Sequence, residues 1–344
     1  MPLRLKTEKK IHIAAILLAF CVSVAASGQG RVVYVTEAEI AAKAVTEQKL
    51  QSQLEFLTDS LCEGRATGSA GANAVTFWLA GRFRSLGFRP MAGGSYIRHF
   101  ETGDGRTGRN VIGVLRGSDQ PSQAGYVIVA ASYDGLGILE GNLYPGADSN
   151  ASGIAALFGV ADMVKSLQRT GKRYARNLIF VALDGKNLSL SGSQALWEDI
   201  EAGRLTDPVT GRVLTKDRIA LFVNLDQLGS TLSPLHENRP DYLLMINGRT
   251  GAAAFDATLD NCNTRNGIGL DLGYDYYGSK DFTRLFYSRV SDQRVFVEND
   301  VPAVMFTSGI TMNNNKVHDT VQTLDLGVLK RRIQLIFHWV ERHL

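Results

Sequence analysis

Cysteine is scarce in this chain: Cys21, Cys62 and Cys262 are the only three in 344 residues. No two stand in a Cys-x-x-Cys spacing, so no cysteine zinc centre is suggested. There is no basic arm and no basic stripe at helical spacing, which argues against a nucleic-acid partner. Internal repeats and low-complexity linkers are missing, and so is a Gly-x-Ser-x-Gly nucleophile elbow. The longest apolar run, Ile11 to Val24, is about 14 residues, short of the roughly 20 needed to span a bilayer.

That run sits in a leader. Arg4, Lys6, Lys9 and Lys10 precede it, and the small residues Ala25, Ala26, Ser27 and Gly28 follow. This is the order of a cleaved secretory signal over residues 1–28, so the chain is expected to be exported to a periplasmic or extracellular space, with no membrane span after cleavage. Phe20 is too large to precede a lipidated Cys21. The leader also carries the charge imbalance. The whole chain has 37 Lys and Arg against 34 Asp and Glu; removing four basic residues and Glu8 leaves 33 against 33. After export Cys62 and Cys262 are either bridged or buried as thiols; both readings stay open.

The remainder, residues 29–344, reads as one α/β domain of ordinary composition, 44% hydrophobic and 21% charged. Helical spacing runs from Thr36 to Leu61 and resumes from Ala72 to Leu86, giving N-terminal helices within 36–86 packed on the domain. The period then changes. Asn110 to Leu115, Tyr126 to Ala131, Asn177 to Ala182, Ile219 to Asn224, Tyr242 to Ile246 and Val301 to Phe306 are short apolar runs that suit strands buried on both faces. Between them lie helical stretches at 151–167, 193–200, 251–262 and 280–287, and the chain closes on a helix from about Leu326 to His343. The expectation is a mixed, largely parallel central sheet with helices on both faces. In such sheets chemistry sits in loops beyond the carboxyl ends of strands.

Five strand ends carry distinctive sequence: Ser132-Tyr133-Asp134-Gly135; Pro145-Gly146-Ala147-Asp148-Ser149-Asn150 running into Ser152-Gly153; Asp184-Gly185-Lys186-Asn187; Asn224-Leu225-Asp226-Gln227; and Lys316-Val317-His318-Asp319-Thr320. In this order, with Glu63-Gly64-Arg65, Thr67-Gly68-Ser69 and Ser291-Asp292, these blocks resemble the di-zinc aminopeptidase family of clan MH. Its members include leucyl aminopeptidases, glutaminyl cyclases and inactive ectodomains such as that of nicastrin. The resemblance covers about Leu57 to the C-terminus and implies the aminopeptidase-like three-layer sandwich. It also implies two zinc ions held by imidazole and carboxylate, with a glutamate as general base.

Carried over position by position, the resemblance puts Ser132 where the family has a metal-binding His, with the supporting acid kept as Asp134. Ser149 stands at the bridging Asp and Lys186 at the base. Asn187 stands at the second-metal ligand, and Asp226 is kept. The closing His position falls on Asn315, with His318 near enough for a loop shift to bring it in. No catalytic set is intact, and a Lys186 cation beside a metal would add repulsion where attraction is needed. The expectation is therefore a family member without a cofactor that binds a peptide, glycan or protein through the old cleft. The alternative is a hydrolase with a rebuilt one-metal zinc site on Asp226 and His318. A Ser–Lys hydrolase using Ser132 or Ser149 with Lys186 is a weaker reading. A plainer role for Asp226 is an ion pair with Lys186. His99, His236, His338 and His343 fall outside these loops and read as surface or structural.

Overall fold

A computed structural model describes residues 35–91, 93–117, 125–247, 252–275 and 279–344. The proposed leader lies outside them. In chain order the elements are α1 (Glu37–Ala44), α2 (Glu47–Thr58), a 3-10 turn (Ser60–Arg65), α3 (Ala70–Ser85), β1 (Arg89–Pro90), β2 (Ile97–Glu101), β3 (Thr107–Leu115), β4 (Tyr126–Ser132), β5 (Gly137–Leu139), β6 (Asn142–Tyr144), a π turn (Ala147–Ala151) and α4 (Ser152–Arg169). There follow β7 (Asn177–Leu183), α5 (Ser191–Glu201), β8 (Ile219–Leu225), β9 (Tyr242–Ile246), α6 (Ala252–Arg265), β10 (Asp271–Gly273), α7 (Lys280–Arg289), α8 (Gln293–Glu298), β11 (Ala303–Thr307) and α9 (Leu326–Glu341).

The main sheet runs β1-β3-β7-β4-β8-β11-β9-β10, with β2 paired to β3. Its centre is parallel: β4 pairs with β7 and β8, and β8 with β11, all in the same direction. The flanks turn antiparallel where β3 meets β7 and where β11 meets β9. The predicted mixed, largely parallel sheet is what forms. Its cause is legible in β4, where Val127, Val129 and Ala131 enter one core and Tyr126, Ile128 and Ala130 the other. β7 alternates the same way. A strand apolar on both faces needs a helical layer on each side. α1 to α4 and α9 supply the larger layer, and α5 and α8 the smaller.

Two sequence expectations need correction, and one left open is decided. The helix over 36–61 is two helices, because Val45 is extended and Thr46 caps a new start by accepting from the Lys49 N–H at 3.2 Å. Asp59 ends the second and caps the following turn through the Leu61 N–H, 2.8 Å. The last central strand begins at Ala303 rather than Val301, since Pro302 has no N–H for the ladder. Cys62 and Cys262 are both buried free thiols.

Candidate functional site

The site is assembled where β4, β7 and β8 end side by side. Ser132 closes β4 and is 1% exposed. Two residues on, Asp134 accepts hydrogen bonds from the Lys186 and Asn187 N–H groups, each 3.0 Å, and from the Asn187 amide at 3.1 Å. This clamp fixes the turn after β7. Asp184, one step earlier, accepts from the Thr67 hydroxyl at 2.7 Å, the Arg109 N–H at 2.9 Å and the Tyr133 hydroxyl at 3.1 Å. The turn made at Gly185, whose φ is +72°, aims Lys186 across the strand ends. Its ammonium reaches both oxygens of Asp226, at the end of β8, at 2.5 Å.

The loop before α4 forms the second wall. Asp319 accepts from the N–H groups of Asp148 (2.7 Å) and Ser149 (3.0 Å). The Ser149 hydroxyl donates to the Asn314 carbonyl oxygen at 2.6 Å, and the Gln227 amide donates to that same oxygen at 2.7 Å. Asp148 points elsewhere, taking the Gly229 N–H at 2.7 Å and the Ser152 hydroxyl at 3.0 Å. Asn150 joins three elements: its amide donates to the carbonyls of Ser132 and Leu225, and its oxygen accepts from the Gly153 and Gln227 N–H groups.

Together these walls enclose a cavity of about 190 Å³. Asp134, Ser149, Lys186, Asn187, Asp226 and Asn315 line it, so most of the positions read from sequence converge. Ser132 lies buried behind the wall, 3.4 Å from the Asn150 amide. His318 is exposed on the last loop and is not among the lining residues, whereas Asn315 is.

Three contributors had no assigned role in the sequence. Gln227 and Asn314 build the polar wall, and a lone amide carries no motif signal. Arg65 is fully buried and donates to the carbonyls of Tyr133, Leu57, Pro145 and Gly146, at 2.5 to 2.8 Å. It ties the β4 end to the loop that presents Ser149. The Glu63-Gly64-Arg65 block was visible, but its carbonyl partners are spread over about 90 residues.

At the site one cation, Lys186, is paired with Asp226 while further carboxylates lie buried close by. Burial alone would favour neutral Lys186, yet the Asp226 carboxylate at contact distance overrides it and holds the ammonium above its ordinary pKa. Burial, with repulsion from Asp184, pushes Asp134 up to about 7. Fully buried Asp292 is pushed up to about 6, mainly by dehydration and against the pull of Lys186.

Zinc takes imidazole, thiolate or carboxylate donors. The six positions present two hydroxyls, two amides, an ammonium and one carboxylate already committed to that ammonium. Among the described residues no group of three or more His, Cys, Asp or Glu is placed to hold a metal ion. These donors do not fit a zinc pair.

The fold is that of the aminopeptidase-like α/β proteins. The chain belongs to peptidase family M28, whose profile matches residues 110–340. It is 32% identical to the BOS complex subunit NCLN of Gallus gallus over 128 residues, which is 37% of this chain and 21% of that protein. Among solved structures, the LapA aminopeptidase of Legionella pneumophila superposes with a TM-score of 0.66 at 16% identity, over 94% of this chain and 79% of that one. A glutaminyl cyclase of Macrostomum lignano gives 0.66 at 17%, over 93% and 95%. The zinc aminopeptidase BSAP of Bacillus subtilis gives 0.63 at 12%, over 87% and 95%.

Proposed function

We propose that this chain is an exported, non-catalytic member of family M28 that binds a peptide, glycan or protein ligand in the strand-end cleft without a metal cofactor. One observation carries the reading: the Lys186 ammonium sits on Asp226, the one carboxylate kept at the family's metal positions. The ammonium supplies the positive charge that Asp226 would otherwise seek from a dication, and it removes the carboxylate at the base position. Hydrolysis would then lack both a polarising metal and a group to activate water.

The rebuilt one-metal reading gains no support, because Asp226 is engaged by Lys186 and His318 is exposed outside the cavity. Export rests on the leader sequence. Among the described residues no helix is long and apolar enough to cross a membrane. N-terminal sequencing of protein from the producing cell should begin near residue 28; a retained Met1 would refute export.

The activity test is turnover of aminoacyl-naphthylamides by the mature chain with added zinc. No turnover above background is expected. Turnover abolished by Asp226→Ala and His318→Ala would overturn the proposal in favour of the one-metal hydrolase.

A further inference from the structure

We infer that the cleft is built for an uncharged ligand: an amide-bearing group carrying a small apolar arm, such as a peptide segment whose ends are both blocked or remote. This deepens the binding reading above and rests on it.

Every charged group facing the cavity is already consumed. Lys186 is held by both oxygens of Asp226. Asp134 receives two backbone N–H groups and the Asn187 amide. Asp319 and Asp292, which lie close by, do not line the cavity, and Asp319 spends its oxygens on the Asp148 and Ser149 N–H groups. A ligand ammonium could meet Asp226 only by displacing Lys186, and Asp134 only at oxygens that already accept three N–H hydrogen bonds. A ligand carboxylate would have to compete with Asp226 for the Lys186 ammonium. Either exchange leaves a buried charge unpaired, which costs more than the new contact returns.

What remains free is neutral and oriented. Asn314 has its oxygen fixed by Ser149 and Gln227, so its amide N–H₂ is turned away from them and has no partner among the described residues. The Gln227 amide nitrogen is likewise spent, which leaves its oxygen as an acceptor. The Asn187 nitrogen donates to Asp134, and its oxygen is a second acceptor. The free donors and acceptors on these planar amides match the alternating donor and acceptor of a peptide unit. Val290, Met305 and Ile310 supply an apolar side. A volume of about 190 Å³ suits one side chain and its flanking amides rather than a whole drug-sized ligand.

The test is calorimetric titration of the mature protein with three probes that share one side chain: N-acetyl-leucinamide (neutral), leucinamide (cationic) and N-acetyl-leucine (anionic). The neutral probe is expected to bind about tenfold or more tightly than either charged one. Asn314→Ala and Gln227→Ala should each weaken it several-fold while leaving the circular dichroism unchanged. Equal or tighter binding of a charged probe would overturn the inference while leaving the binding reading intact. Failure of all three at millimolar concentration would also overturn it. Zinc-dependent turnover of leucyl-naphthylamide would instead overturn the binding reading itself.

Discussion

Lys186 is the residue on which the account turns. Its side chain is 19% exposed and that of Asp226 4%, so the pair is shielded enough that losing one partner strands a charge. Lys186→Met should destabilise the chain by about 3 kcal/mol, and adding Asp226→Leu should recover much of that loss. Urea denaturation of the two variants measures both effects; equal stability of the single and double variants would show no coupling. A second residue contributes to the response to acid. His343 packs against Trp339 and Phe255, and burial followed by nearby Arg176 and Arg342 lowers its pKa to about 4. The folded state thus holds the ring neutral while the unfolded chain protonates it near pH 6.5. At His343 the unfolded state binds more protons between these values, so this residue's contribution to stability falls as pH drops from about 6.5 to 4, by on the order of 2 kcal/mol, against the opposite contribution of buried Asp134, Asp148 and Asp292. His343→Phe should make the variant lose less stability than the parent on going from pH 6.5 to 4; an unchanged difference would remove His343 as a contributor.

At the scale of elements, the loop before α4 does the positioning. Asp319 holds two successive N–H groups of that loop, and Arg65 holds carbonyls on its other side. Asp319→Ala leaves both N–H groups without their acceptor, at roughly 1–3 kcal/mol for such a loss. Amide exchange at Asp148 and Ser149 should quicken selectively, with β4 and β7 still protected; uniform acceleration over the sheet would point to global destabilisation instead. The central elements were legible because their apolar runs leave no polar face: β4, β7, β8, β9 and β11 lie within two residues of the spans read from sequence. β2, five residues of which none is fully buried, carries no such signal. The division between α1 and α2 was missed for a different reason. The apolar spacing continues through Val45 and Thr46, while the Thr46 cap, a single hydroxyl, ends one helix and begins the next.

At the scale of the whole molecule, the blocks at the strand ends were legible as an ordered set, and their convergence follows from a parallel sheet that brings successive carboxyl ends together. Asp134, Ser149, Lys186, Asn187, Asp226 and Asn315 face one cavity for that reason. The Lys186–Asp226 pair could be foreseen because the family pattern carries both residues onto one site; the structure has them at the ends of the strands that flank β4. Gln227, Asn314 and the carbonyl partners of Arg65 could not, because hydrogen-bond partners drawn from distant loops follow from packing rather than from spacing. The claim that joins these scales is that the fold of a zinc aminopeptidase is retained while a lysine takes the place of the metals. Its most direct test is the zinc content of the mature chain after equilibration with excess zinc and exhaustive dialysis. The expected result is no retained zinc, with uptake appearing only when Ser132→His, Ser149→Asp, Lys186→Glu, Asn187→Glu and Asn315→His are introduced together. About two equivalents of tightly held zinc in the unaltered chain, the complement of a family site, would contradict it.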